Sequence, residues 1–336
     1  MTTNHAVGYR RNLPVSDPES LVDEVVEVPA LSPRDLLVEV EAVSVNPVDV
    51  KLRASAATDA LRVLGFDAAG RVRAVGDAVT LFSPGDEVYY AGTIDRPGTD
   101  QRLHAVDERI VGHKPRTLSF ADAASLPLTA ITAWEALFDR LGLGSDSSGS
   151  LLVVGATGGV GSVMLQLAEA LLPRVRVLAT ASDAERSAWV RELGAEEVVD
   201  HHGDLAAQVL ELVPDGVDWV FSAHSEGEVE TYARLLRPFG QVVAIDDGAR
   251  DVSPLKSKSI TWHWELMFTR PLHGTPDLVQ QHHLLDEVAA LVDAGRVRPT
   301  TTRVLSPISA STLREAHALV ESGRTVGKVV VHGWDD

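Results

Sequence analysis

Leu151-Leu-Val-Val-Gly-Ala-Thr-Gly-Gly-Val-Gly-Ser162 reads as a buried strand, a glycine-rich turn and the start of a helix. Glycines in such a turn let the backbone approach a pyrophosphate, whose charge then meets the free N–H groups and positive dipole end of the helix. Against the pattern G-x-G-x-x-G the matching frame is Ala156, Gly158, Gly161, with alanine at the first position. The context supports the motif. Strand-like segments 151–155, 175–180, 197–199, 217–221, 241–245 and 259–264 alternate with segments of helical period. The first helix, 160–172, places apolar residues at 160, 163, 164, 167, 168, 171 and 172 and stops at Pro173. Strand then helix, repeated, implies an α/β fold with a doubly wound parallel sheet.

Working outward, the first third of the chain carries short β-prone runs at 36–45, 71–75 and 87–90, separated by Gly76-Asp77 and Ser83-Pro84-Gly85-Asp86. Helical spacing takes over between Ser119 and Leu141, and the small-residue run 142–150 connects it to the glycine strand. The tail holds helical patterns near 284–294 and 313–322 and strand-like runs at 303–305 and 328–331. It is too short for a third domain and is expected to complete the first, giving 1–121, 122–266 and 267–336.

Composition excludes several chemistries. The 336 residues include no cysteine, which removes disulfide scaffolds, thiolate zinc sites, iron–sulfur clusters and cysteine nucleophiles. Lys and Arg total 30 against 48 Asp and Glu, a net charge of -18, so the average field repels nucleic acid and anionic membranes. No apolar stretch is long enough for a membrane helix or a signal peptide, and the expectation is a cytoplasmic protein without a nucleic-acid or membrane partner. Ser147-Ser148 has no triad partner, and Asp246-Asp247 reads as solvated loop charge. The pairs His201-His202 and His282-His283 read as surface residues, because neighbours on a helix or strand point in different directions.

An NAD site usually ends the second strand in an acid that bonds both ribose hydroxyls. Here the strand runs into Ala181 and Ser182, and Arg186 follows on the next helix, where a guanidinium suits a 2′-phosphate. NADPH is therefore the expected cofactor. Arg186 has a plainer reading as a helix charge paired with Glu185 or Asp183, and Asp183 itself stands as a displaced acid.

The order SVNPVDVKLR (44–53), LGFDAAG (64–70), PLTAITAWEAL (127–137), GATGGVGS (155–162) and GKVVV (327–331) resembles the medium-chain dehydrogenase/reductase superfamily over essentially the whole chain. Within it the chain looks most like the zinc-free quinone oxidoreductase and zeta-crystallin branch, in particular proteins labelled zinc-type alcohol dehydrogenase-like. The resemblance implies a GroES-like catalytic domain, a Rossmann domain and a homodimer joined along the last Rossmann strand, where Trp262-His263-Trp264 falls. Aromatic packing inside one chain is the other reading of that triplet.

Zinc enzymes of the superfamily place a Cys and a Gly-His-Glu motif where this sequence has Asn46 and Gly65-Phe66-Asp67, and neither Asn nor Phe replaces those ligands. No metal is expected. Resemblance puts Asn46 beside nicotinamide and substrate, and Thr129 near the cofactor. It puts Ala156, Thr157, Gly158, Gly159, Val160 and Gly161 around the pyrophosphate, with Ser182, Arg186, His201, Ile245 and Lys328 as further cofactor contacts. The tyrosine expected five residues after the asparagine is Lys51. Lys51 has two readings, a desolvated lysine that holds and protonates a substrate oxygen, or a rim charge paired with Asp49 or Asp67. Asn46, before a proline, has the plainer role of bracing a turn. The function expected is NADPH-dependent hydride transfer to a small quinone or activated enone. Alcohol or aldehyde oxidoreduction, and a largely non-catalytic NADPH-binding role, are the alternatives.

Overall fold

The alternation in the first third builds a sheet, as its period requires. In the computed structural model, which describes residues 3–335, β1 (Thr3–Tyr9), β2 (Val22–Glu27) and β3 (Asp35–Val45) lead into helix α1 (Pro47–Ser55). Next come β4 (Arg62–Val63), β5 (Ala68–Val75), β6 (Glu87–Tyr90), β7 (Leu103–Asp107) and β8 (Val111–His113). Helices α2 (Phe120–Ala123) and α3 (Pro127–Trp134) run into a π-helical segment, Glu135–Arg140.

From there β9 (Gly149–Val154), β10 (Val175–Thr180), β11 (Glu197–Val199), β12 (Val217–Ser222), β13 (Leu236–Ala244) and β14 (Thr261–Trp264) alternate with α4 (Gly159–Leu171), α5 (Ala184–Glu192), α6 (Leu205–Leu212) and α7 (Val229–Leu235). All pairings in this sheet are parallel, in the order β11-β10-β9-β12-β13-β14. The order reverses between β9 and β12, so the crevice beyond the carboxyl end of β9 is where a doubly wound sheet takes its ligand. Leu152, Leu178, Val220 and Val242 of four adjacent strands pack with Val209, Tyr232 and Leu235 beneath this sheet.

The chain then returns through α8 (Thr269–His273), α9 (Gln280–Asp293), β15 (Thr301–Leu305), α10 (Ala310–Glu321) and β16 (Lys328–His332). Strand β16 runs antiparallel to β3, with Val329 opposite Val45 and Val330 opposite Ser44. The second sheet has the order β15-β16-β3-β5-β6-β8, with β7 also on β3. One unit thus comprises the residues up to Ile131 and those from Phe268 onward, and the other is Thr132–Met267. The first crossing lies ten residues beyond the expected 121, because α2 packs on β3, β5 and β16 and takes the start of α3 with it. The strand expected from Ser259 starts at Thr261, since Ser259 caps a 3-10 turn in the left-handed conformation (φ 50°). Among the described residues no helix is long and apolar enough to cross a membrane.

Candidate active site

In the second unit the glycine turn is built for close backbone approach. Gly155 adopts φ 82°, and its N–H donates to Thr180 Oγ1 at 3.1 Å. Gly158 is the extended N-cap of α4, whose first turn carries no acid. The first N–H groups of a helix lack internal acceptors, and here they face no competing carboxylate of their own turn. A β-carbon at Gly161 would lie 2.5 Å from Ala156 Cα and 2.6 Å from Gly155 O, both backbone. Only glycine lets α4 pack that close, while Ala156 buries its methyl completely. This cradle fits a dinucleotide pyrophosphate. Gly161→Ala is expected to cost about 1–3 kcal/mol of stability through overpacking and to weaken dinucleotide binding, as urea unfolding and cofactor titration will show.

At the end of β10, Ala181 is buried and Ser182 half-buried. Asp183 caps α5, accepting from Arg186 N at 2.8 Å and from its guanidinium. Those bonds hold the Asp183 carboxyl below the usual range. Arg186 therefore has the paired geometry of its plainer reading. His201 and His202 lie in a turn, with rings 4.3 Å apart and tilted 32°. This corrects the expectation that the two point apart, which holds for helices and strands but not for turns. Burial, then His202, pushes the His201 imidazole below its ordinary value. Ile245, half-buried after β13, donates its N–H to Ser222 O at 3.1 Å. Asp246 is not a solvated charge: it accepts from Ser225 N at 2.7 Å, Ser225 Oγ at 2.6 Å and Arg250 at 2.7 Å.

The first unit gathers a second set of groups. Asn46 ends β3 and precedes α1, and it is 1% exposed. Its Nδ2 donates to Asp67 Oδ2 at 2.8 Å and, weakly, to Ser44 O at 3.4 Å. Its Oδ1 accepts from the ammonium of Lys328. Lys328, 4% exposed, also donates to Asp67 Oδ2 at 3.0 Å and Val45 O at 3.3 Å. Asp67, fully buried, further accepts from Ser44 Oγ at 2.7 Å and Leu128 N at 2.7 Å. Asp49 accepts from Asn46 N at 2.7 Å and Gly65 N at 3.0 Å, yet burial outweighs both bonds and raises its carboxyl to about 7. Asp100, buried on the other side of Gly65, is pushed up by burial and by Asp49.

Lys51, on α1, is exposed rather than desolvated. The buried lysine of the cluster is Lys328. Thr129 is buried, and its hydroxyl donates to Leu126 O at 2.9 Å, back into its own chain segment. The glycine turn, β10 end, His201 and Ile245 all lie in the second unit, whereas Lys328 joins Asn46 in the first.

The residues at Asn46, Phe66 and Asp67 do not suit zinc. Phe66 is buried edge-on against Phe268, ring centroids 5.4 Å apart, and Asp67 is engaged by an ammonium and three neutral donors. The described residues show one grouping of three metal-competent side chains, Asp200, His201 and His202, exposed in the other unit. Protein dialysed mildly is expected to hold well under one zinc per chain by elemental analysis. One tightly held zinc would overturn this reading of the donor set.

A doubly wound sheet with a pyrophosphate cradle, joined to a β-rich unit that collects buried amide, ammonium and carboxylate groups, is the design of a dinucleotide-dependent oxidoreductase. Residues 32–128 match the alcohol dehydrogenase GroES-like domain, and residues 193–331 match the zinc-binding dehydrogenase family. A zinc-type alcohol dehydrogenase-like protein of Staphylococcus aureus is 40% identical over 305 residues, covering 89% of this chain and 90% of its own. A Rhizobium etli crystal structure, provisionally assigned as a zinc-dependent alcohol dehydrogenase, superposes over the full length of both chains with 50% identity and a TM-score of 0.96. A Pseudomonas syringae quinone oxidoreductase structure gives 25% identity and a TM-score of 0.83, over 98% of this chain and 100% of that one. The chain belongs to the medium-chain dehydrogenase/reductase superfamily, oxidoreductases that bind a nicotinamide cofactor.

Proposed function

We propose that this protein is a zinc-independent, NADPH-dependent reductase acting on a quinone or an activated enone in the cytoplasm. The observation that carries the reading is the acceptor end built from Asn46, Asp67 and Lys328, which holds no Cys or His and whose one carboxylate is already engaged by an ammonium. When bound, the nicotinamide supplies a hydride. A conjugated acceptor suits a site without a Lewis acid, because its growing negative charge is delocalised and met by hydrogen-bond donors. The N–H groups at the start of α4 hold the pyrophosphate. The second Nδ2 hydrogen of Asn46, given only weakly to Ser44 O at 3.4 Å, is the donor left for an acceptor oxygen. The proton comes from water or from the exposed Lys51. Purified protein assayed with NADPH against quinones, enones and aldehydes tests this; turnover confined to aldehydes or alcohols would overturn it.

The neutral end of β10 supports NADPH over NADH, with Arg186 turning from Asp183 to the 2′-phosphate. Arg186→Ala is expected to weaken NADPH roughly tenfold to a hundredfold, the loss of one charge-assisted contact, and to leave NADH nearly unchanged. Fluorescence titration with both cofactors decides, and equal losses would remove Arg186 from the phosphate. The same reading includes a homodimer. Strand β14 pairs only with β13 among the described residues, with Trp264 49% and Leu266 51% exposed beside that edge.

A further inference from the structure

The register of one strand pair sets a contact across most of the sequence. With Val329 opposite Val45, Lys328 falls opposite Asn46, 282 residues away. Three acceptors surround its ammonium: Asn46 Oδ1, Asp67 Oδ2 and Val45 O. Asp67 is itself pinned through Leu128 N on Oδ1 and Ser44 Oγ on Oδ2. The Asn46 carboxamide thus has a cation at its oxygen and a carboxylate at its nitrogen. Turning it over would set N–H groups against the ammonium and the amide oxygen against the carboxylate. Both bonds involve a charged partner, the stronger kind, and both are shielded from water.

We propose that Lys328 is a positioning residue for acceptor reduction: its ammonium fixes which way the Asn46 carboxamide faces. The catalytic consequence rests on the reductase reading above, whereas the orientation of the amide does not. Asp67 alone does not suffice, since it constrains only the nitrogen side and leaves the oxygen without a partner in a buried place. A lysine that merely balanced the Asp67 charge would affect stability without acting through Asn46. A lysine that contacted the cofactor would act on NADPH affinity.

The sequence makes a direct test practical, because the chain has three asparagines, Asn4, Asn12 and Asn46. Protein labelled with 15N-asparagine gives three carboxamide signals, and the one lost in Asn46→Ala is Asn46. Its hydrogen exchange is expected to be slow in the parent and at least about tenfold faster in Lys328→Met, with Lys328→Arg in between. Unchanged exchange in Lys328→Met overturns the proposal. If that variant does not fold, Lys328→Arg carries the test, and parental exchange together with a parental rate in it counts against positioning.

The second arm is single-turnover NADPH oxidation by a quinone at saturating cofactor. Lys328→Met and Asn46→Ala are each expected to slow it by about tenfold or more, and the double variant to be no slower than the worse single one. Multiplicative losses would mean that Lys328 acts independently of Asn46. A tenfold weaker NADPH affinity with a parental rate at saturation would make Lys328 a cofactor contact instead. A parent protein that turns over no quinone or enone would end the reductase reading, while the exchange measurement would still decide whether Lys328 orients the amide.

Discussion

Asp67→Ala is expected to lower the unfolding free energy by about 3–5 kcal/mol, the loss that follows when one member of a buried ion pair is removed. Asp67 has no exposed surface and serves Lys328, Asn46 Nδ2, Ser44 Oγ and Leu128 N together. Alanine would leave the Lys328 ammonium buried with only two neutral oxygens, and three further donors short of a partner. Asp67→Asn keeps the volume and one acceptor oxygen, so it should fall between parent and alanine. Urea unfolding at pH 7 is the measurement. A loss below about 1 kcal/mol for alanine would mean that water reaches Lys328 once the carboxylate is gone.

A large pH effect is expected from Asp49. Its carboxyl stands at about 7 in the folded protein against an ordinary 3.8, with burial as the leading cause. Between those values the folded state keeps a proton that the unfolded state has released. Stability from this group is therefore complete below about pH 4, declines as pH rises, and is gone above pH 7. The slope is about 1.4 kcal/mol per pH unit for one proton, on the order of 4 kcal/mol across the window. Asp100 is shifted in the same direction and adds to the parent's slope. Urea unfolding from pH 5 to 8 should show the parent losing stability faster than Asp49→Asn below pH 7, with parallel curves above it. Parallel curves throughout would mean that Asp49 is ionised across the whole range.

Much of this molecule is legible in the sequence where the physics is local. The glycine turn announces itself because a strand, a tight turn and a helix start are all read within twelve residues, and the strand–helix alternation after it dictates the parallel sheet. Val22–Glu27 also alternates half-buried with exposed residues along its whole length, a signal that the sequence reading passes over because the segment is short and acidic. The acceptor end is less legible. Asn46 and Asp67 sit in recognisable motifs, but the lysine that meets them is assigned by sequence to the cofactor, and Lys51, closer along the chain, draws the attention instead. Nothing local distinguishes a lysine that strand pairing will bury from one that a helix will expose. His201 and His202 show the converse error, in which a rule for regular elements is applied to residues that lie in a turn.

The first unit is made of two stretches of chain interrupted by the whole of the second. Strand β16 closes onto β3 only after residues 132–267 have been made. Domains fold in the order of synthesis, at about 5–20 residues per second. The parallel sheet has all its strands while β3, already paired with β5 and β7, still lacks β16, and Asn46 and Asp67 exist for on the order of tens of seconds, the time needed for the intervening chain, without the ammonium that balances them. During that interval the glycine turn has all the strands of its sheet, whereas the Asn46–Asp67 cluster lacks its lysine. Every strand of the parallel sheet thus precedes in the chain the lysine that meets Asn46 and Asp67.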